Sequence, residues 1–282
     1  MGERVRGKVA IIFGAGQTPG ETIGNGRATA LLLAREGAAV VAVDREVRSA
    51  QETVDLIAGE GGTAMAVQAD ITGEEQVREA IAACMAAHGR IDILHNNVGA
   101  SLALGDAPAT ELEVEAFDRL YAVNLRGMWL ACKHTLPVMR EQGSGSIVNI
   151  SSMAAWEAYP YVGYKTTKAG VIALTHNIAM ENARHGIRAN VILPGLMNTP
   201  MAIEARVAAG TPGEEVIASR DPAGAAGEED GLGLGCGLCL ALPPLRRSEV
   251  HHRRFVAGRR RRERLLRATS SGRGAPQPRR RQ

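Results

Sequence analysis

Residues 8–44 read KVAIIFGAGQTPGETIGNGRATALLLAREGAAVVAVD, and the order of patterns in this stretch decides the fold. Lys8–Phe13 is a short apolar, β-branched run that predicts a strand. A glycine-rich turn follows, then helical periodicity over Gly26–Gly37 closed by a glycine stop. Ala39–Asp44 predicts a second strand. In such a unit Gly14, Gly16, Gly24 and Gly26 allow a tight turn and a close backbone approach to a pyrophosphate, and the helix start supplies free N–H groups and a positive dipole end. Asp44 follows Gly26 by 18 residues and ends the second strand, where a carboxylate accepts hydrogen bonds from a ribose diol. It would repel a 2′-phosphate, which favours NAD over NADP. Arg45 beside it is suited to receive such a phosphate, and the plainer reading of Asp44 is a strand-end turn residue.

The same alternation continues outward. Strands are predicted at Thr63–Asp70, Ile91–Asn96, Ser146–Ser151 and Arg188–Leu193, with helices at Glu74–His88, Asp118–Gln142 (despite Pro137) and Gly163–Arg184. Strands alternating with helices mean βαβ units and a doubly wound parallel α/β sheet, a Rossmann fold, which binds ligands beyond the carboxyl ends of its strands. At 282 residues the chain makes one large domain or two small ones. Aromatics are 3% against 45% apolar residues, so the core is built from Val, Ile, Leu and Ala, as suits strands buried on both faces. No apolar run reaches the ~18–20 residues of a membrane span, and VAIIF is too short for a secretory signal. Four Cys do not suggest a disulfide framework, so a reducing cytoplasm is the expected location.

Chemistry concentrates after the fifth strand. NISS ends that strand and YKTTK opens the next helix. A Tyr and a Lys four apart share a helix face, so an ammonium can lower the phenol's pKa and make it a proton carrier. Two such pairs overlap, Tyr161–Lys165 and Tyr164–Lys168.

Together these motifs make residues 5–220 resemble the short-chain dehydrogenase/reductase family. The family's TGxxxGxG loop is altered: Phe13 replaces Thr, and ten positions instead of four separate Gly14 from Gly24, a six-residue insertion. The resemblance implies a hydride-transferring oxidoreductase acting on an alcohol or ketone. It selects Tyr164, because the family's Ser precedes its Tyr by about 12–13 residues and Ser152 lies 12 before Tyr164 but 9 before Tyr161. Ser152 is preferred to Ser151 as the second Ser of the pair. Tyr161 then lines the substrate pocket. Asn124 in YAVNLRG resembles a fourth catalytic residue whose side chain holds a proton-relaying water, the alternative being a helix-distorting Asn without chemistry. Asp70 and Ile71 would flank the adenine. Asn97 and Gly99, in NNVG, look like the family's NNAG, with a bracing role as the alternative. Pro194 and Gly195 would pass under the nicotinamide, and Thr199 would hold its carboxamide. Met197, Met201, Ile203, Trp156 and Tyr159 suggest an apolar substrate, against which stand Glu157 and Arg206. No metal is required. A homo-oligomer, tetramer or dimer, is implied, and the competing class is a non-catalytic cofactor-binding relative.

Composition breaks near residue 221, dividing a domain at 1–220 from a tail at 221–282. From Asp221 onward there is no Ile, Lys, Asn, Tyr, Trp or Met. The net charge of +3 divides into 14 Arg against 2 Glu over 246–282, a net +12, and 19 basic against 28 acidic residues before them, a net −9. Three readings compete: a zinc site from Cys236, Cys239 and the adjacent His251 and His252, an arginine arm for nucleic acid, and out-of-frame translation. The third is favoured. Leu245–Phe255 back-translates so that skipping one base gives SDEAKFITGV; continuing through Val256–Arg262 permits SLPVDGG, and Gly224–Gly231 permits VPLGKKMG. This text resembles the family's C-terminal segment, whose last helix and strand complete the sheet edge.

Overall fold

A computed structural model of the chain describes residues 3–208 and 210–220. Six strands form one parallel sheet in the order β3-β2-β1-β4-β5-β6: β1 (Val9–Phe13), β2 (Ala39–Asp44), β3 (Thr63–Gln68), β4 (Ile93–Asn96), β5 (Gly145–Ile150) and β6 (Ile187–Ile192). The chain runs from β1 outward to β3, then returns to place β4 against β1's other side. The junction of β1 and β4 is therefore the point where strand order reverses, and it opens a crevice at the carboxyl edge.

The helices are α1 (Asn25–Arg35), α2 (Val47–Gly59), α3 (Glu74–His88), α4 (Val114–Tyr121), α5 (Gly127–Gln142), α6 (Val162–Asn182), α7 (Pro200–Val207) and α8 (Gly213–Arg220). Alternate residues of β1 and β2 feed two cores. Ile11, Phe13, Val41 and Val43 join residues of α3, α5 and α6, while Ala10, Ile12, Val40 and Ala42 join α1 and α2. Each fully buried Ile, Val or Phe contributes roughly 1.5–3 kcal/mol, so the β-branched runs of the sequence fix both the strands and their two-sided burial.

Three departures from the sequence reading have local causes. Helix α2 is amphipathic over Ala50, Thr53, Val54 and Ile57, a pattern left unread between the second and third strands. The long helix expected at 118–142 starts at Val114 and is interrupted by a π-helical turn, Ala122–Arg126, centred on Asn124. Past β6, where the sequence reading places no element, the chain forms α7 and α8. Among the described residues no helix is long and apolar enough to cross a membrane, and no His, Cys, Asp and Glu cluster could hold a metal ion. The tail at 221–282, with its zinc, arginine-arm and frame readings, lies outside the described residues.

Candidate active site

The glycine turn leaves β1 at Phe13 and is locked to both neighbouring strands. Gly14 and Ala15 donate to the Val43 carbonyl (2.8 and 3.1 Å), and Asn97 donates its backbone N–H to Phe13 (3.0 Å). Gly14 has φ of +81°, a conformation suited to glycine. A β-carbon on Gly26 would stand 1.8 Å from the Gly14 carbonyl oxygen, so α1 can approach the turn this closely only through glycine. The Asn97 side chain donates to the same oxygen (3.0 Å). Its neighbour Asn96 runs a buried chain across the sheet: Asn96 Nδ2 to Asn149 Oδ1 (2.8 Å), then Asn149 Nδ2 to Thr175 Oγ1 (3.0 Å). Both asparagines therefore brace the crevice.

The inserted residues form a folded arm. Gln17 closes it, accepting from Gly24 N–H (2.9 Å) and donating to the Thr22 carbonyl (3.3 Å). Ser49 of α2 anchors it by accepting from Gln17 N–H (2.8 Å) and donating to the Gln17 carbonyl (3.0 Å). At its tip a β-carbon on Gly20 would meet Pro200 and Glu204 of α7 at 3.0 Å, so the arm touches the helix beyond β6. Gly16 donates to Asp44 Oδ2 (3.1 Å), and Glu46 N–H donates to Asp44 Oδ1 (3.1 Å). Asp44 thus holds the turn as well as ending β2.

Asp70 and Ile71 separate. Asp70 is half-buried and accepts from Thr72, whereas the Ile71 side chain is core, packed where α5 begins at Gly127. At the far end of the crevice Pro194 accepts from Met153 N–H (2.9 Å), a β-carbon on Gly195 would meet open space, and Thr199 is buried at the N-cap position of α7 without a side-chain capping bond.

The two overlapping Tyr–Lys pairs diverge. Lys165 turns its ammonium to the carbonyls of Ala154 and Glu157 (3.0 and 2.7 Å). Lys168 is buried, donates to the Ile150 carbonyl (2.9 Å), and stands 5.6 Å from the centre of the Tyr164 ring. Gly99 backs onto it: a β-carbon there would lie 2.8 Å from Lys168 Nζ and 3.4 Å from Asn124 Oδ1. The serines also part. Ser151 donates to the Lys168 carbonyl (2.7 Å), while Ser152 accepts from Ala154 N–H (3.1 Å) and stands near enough to the Tyr164 hydroxyl to favour its ionisation. The Asn124 side chain clamps the Ala100 backbone, accepting from its N–H and donating to its carbonyl at 2.8 Å, and donates to Thr167 (3.2 Å). Both amide N–H bonds are thereby used.

Burial governs the charges here. It pushes the Tyr164 phenol up to about 12, opposed by nearby Ser152, and the Lys168 amine down to about 7. Each group resists ionising alone, whereas a phenolate–ammonium pair carries no net charge.

Sequence spacing missed Gln17, Ser49 and Asp106. Asp106, in the loop after β4, accepts hydrogen bonds from the first turn of α6. Ser49 and Asp106 act on residues 32 and more than fifty positions away, and no periodicity announces them.

Residues 8–209 match the sequence profile of the family described as short chain dehydrogenase. The chain is 38% identical over 199 residues to 2-(R)-hydroxypropyl-CoM dehydrogenase of Xanthobacter autotrophicus, covering 69% of this chain and 76% of that protein. It is 35% identical over 199 residues to a 3-oxoacyl-acyl-carrier-protein reductase of Thermotoga maritima, covering 70% of this chain and 77% of that protein. Among solved structures it superposes on a Burkholderia xenovorans protein assigned to the short-chain dehydrogenases/reductases, with TM-score 0.77 and 35% identity over 85% of this chain and 90% of that one.

Proposed function

Because this chain belongs to the short chain dehydrogenase family, whose oxidoreductases use nicotinamide cofactors, we propose that it passes hydride between NAD and a secondary alcohol or ketone with Tyr164 as the proton carrier. The observation that carries this reading is the meeting of Ser152, Tyr164 and Lys168 at the end of β5, beside the crevice that begins at Gly14. Similarity to a hydroxypropyl-CoM dehydrogenase and an oxoacyl reductase, both acting on secondary alcohol or ketone groups by name, supports the substrate class.

The crevice fits a dinucleotide. Gly14 and Gly26 let α1 start hard against the turn, since β-carbons there would strike Val98, Asn97 and the Gly14 carbonyl, and the turn with that helix start would form the phosphate cradle. Around it Thr22 Oγ1, Asn25 Oδ1 and Asn198 Oδ1 are buried without a partner among the described residues, which leaves polar capacity at the start of α1 and before α7. Gly14, Gly16, Gly24 and Gly26 would hold the pyrophosphate, Asp44 the adenosine ribose, Asp70 the edge of the adenine, and Pro194, Gly195 and Thr199 the nicotinamide end. Bound nicotinamide supplies a hydride acceptor or donor at its C4 carbon.

In the oxidative direction Ser152 and Tyr164 grip the substrate oxygen, and Tyr164 removes the hydroxyl proton as the carbinol carbon gives up hydride. Lys168 receives the shared charge: moving a proton between two groups that both resist ionisation costs less than charging either alone. Asn124 steadies Gly99 and Ala100 behind Lys168. Reduction runs the same steps backward, with Tyr164 returning the proton.

Asp44 sets cofactor choice in this reading. The native protein is expected to show a lower KM for NAD than for NADP across a panel of secondary alcohols, followed by NADH absorbance. Asp44→Ala is expected to narrow that preference by about 10-fold or more, since one charged hydrogen bond contributes roughly 1.5–3 kcal/mol. It should also raise KM for NAD, because the ribose contact goes and Gly16 and Glu46 lose their acceptor. A native preference for NADP would move the role to Arg45.

The unit at 1–220 carries cofactor and catalytic residues together, and the profile match ends at 209. We read 221–282 as sequence from a shifted frame. Sequencing the gene around codon 221 is expected to show family-like text continuing in the adjacent frame; stop codons throughout that frame would end the idea and reopen the basic-arm reading. A homo-oligomer fits the exposed Phe117, Tyr121 and Trp129 along α4 and α5, and a small-molecule alcohol or ketone is the expected partner, with neither membrane nor nucleic acid.

A further inference from the structure

Asp106 is nearly buried, with 6% of its surface exposed, yet every strong contact it makes is polar. Its Oδ1 accepts from Gly163 N–H (2.9 Å) and from Ala107 N–H (3.1 Å). Its Oδ2 accepts from Tyr164 N–H (3.0 Å) and from the Ser101 hydroxyl (2.9 Å). The Ser101 hydroxyl also meets the Tyr159 hydroxyl at 3.2 Å, and the Tyr159 ring lies 5.7 Å from the Tyr164 ring. A helix start leaves several N–H groups without intrahelical partners, and α6 has no side-chain cap from its own N-cap residue, Tyr161. A carboxylate more than fifty residues upstream supplies that cap and attaches to Tyr164 itself. The fit is close: a β-carbon on Gly163 would come within 2.9 Å of Asp106 Oδ1 and 2.5 Å of Leu120.

We propose that Asp106 is a positioning residue: from the loop after β4 it grips the first turn of α6 and so fixes where the Tyr164 hydroxyl meets substrate. The proposal rests on the role given to Tyr164 above. Four groups face that phenol: Ser152 from the end of β5, Lys168 from α6, Tyr159 from the segment before α6, and Asp106 from the loop after β4. After burial and Ser152, which oppose each other, Tyr159 and the Asp106 charge both resist ionisation of Tyr164. Asp106 therefore makes the phenol harder to ionise while holding the helix turn that carries it.

The test is the pH dependence of kcat/KM for the best-used member of a secondary-alcohol panel with NAD, in the native chain, Asp106→Asn, Ser101→Ala and Tyr164→Phe. Asn brings one acceptor oxygen where Asp has two and carries no charge. It is expected to lower plateau kcat by about 10-fold through misplacement of the hydroxyl, and to move the midpoint of the rising limb down by about one pH unit. Ser101→Ala removes a donor from Oδ2, leaves the Asp106 charge less neutralised, and is expected to move the midpoint up. Should Asp106→Asn fail to fold, Ser101→Ala tests the same point with the opposite sign. NADH affinity, read by fluorescence, stays within about two-fold in both, as neither residue borders the cradle. A fall in kcat with both midpoints unmoved makes Asp106 a structural cap and overturns the proposal. Full turnover by Tyr164→Phe, or none by the native chain, overturns the reading of Tyr164 and this proposal together. An inactive Tyr164→Phe beside unmoved midpoints overturns the Asp106 proposal alone.

Discussion

Tyr164→Phe is expected to lower kcat for alcohol oxidation by about 10²–10⁴-fold, the usual worth of a positioned proton carrier, while NADH affinity changes little. The phenyl ring still packs against Tyr159 and beside the Lys168 amine, so only the hydroxyl is lost. Tyr161→Phe is the paired control and is expected to keep substantial activity. Tyr161 touches Tyr159 edge-on, and its partner by spacing, Lys165, is engaged with the carbonyls of Ala154 and Glu157. Steady-state kinetics with fluorescence titration of NADH decides between them. If Tyr161→Phe were the inactive variant, the wrong one of the two overlapping pairs has been assigned.

Lys168→Met is expected to make the protein more stable and nearly inactive. The amine titrates near 7 when folded against an ordinary 10.5, because burial disfavours its charge. Below pH 7 both states bind the proton, and the folded protein bears the whole penalty of a buried ammonium. Between pH 7 and 10.5 the unfolded chain binds more protons than the folded one, so native stability rises with pH through that window, and above it the penalty is gone. Met fills similar space without charge but leaves the Ile150 carbonyl without its donor. The net gain is on the order of 3 kcal/mol at pH 6, or roughly 5–10 °C in Tm, shrinking toward zero by pH 10.5. Thermal melts of both proteins across that range check the sign. A Met variant that melts lower at pH 6 would show that Lys168 holds the fold together instead of straining it.

Much of the fold was legible because burial on both faces leaves an unmistakable trace. VAIIF and AVVAVD are strands in any reading, and their order set by the intervening helix leaves little choice of topology. Of the proposed site, what spacing along one element sets was legible: Tyr164 and Lys168 do meet on α6. It was illegible where a residue acts across the fold. The Ile71 side chain, expected at the adenine, belongs to the core because the start of α5 closes over it. Asn124 was expected to hold a relay water through its side chain, yet both N–H bonds of that amide are given to Ala100 and Thr167. Asp106 had no motif at all, since its meaning comes from N–H groups fifty-seven and fifty-eight positions away.

The arm built from Gln17 to Gly24 ties the glycine turn after β1 to the helix beyond β6. Its tip at Gly20 rests on Pro200 and Glu204, so the glycine turn and α7 form one joint surface. Transplanting a compact glycine turn would strip α7 of a support while leaving every substrate-lining side chain in place. A change in the glycine turn is therefore felt at α7, and a change in α7 is felt in the turn.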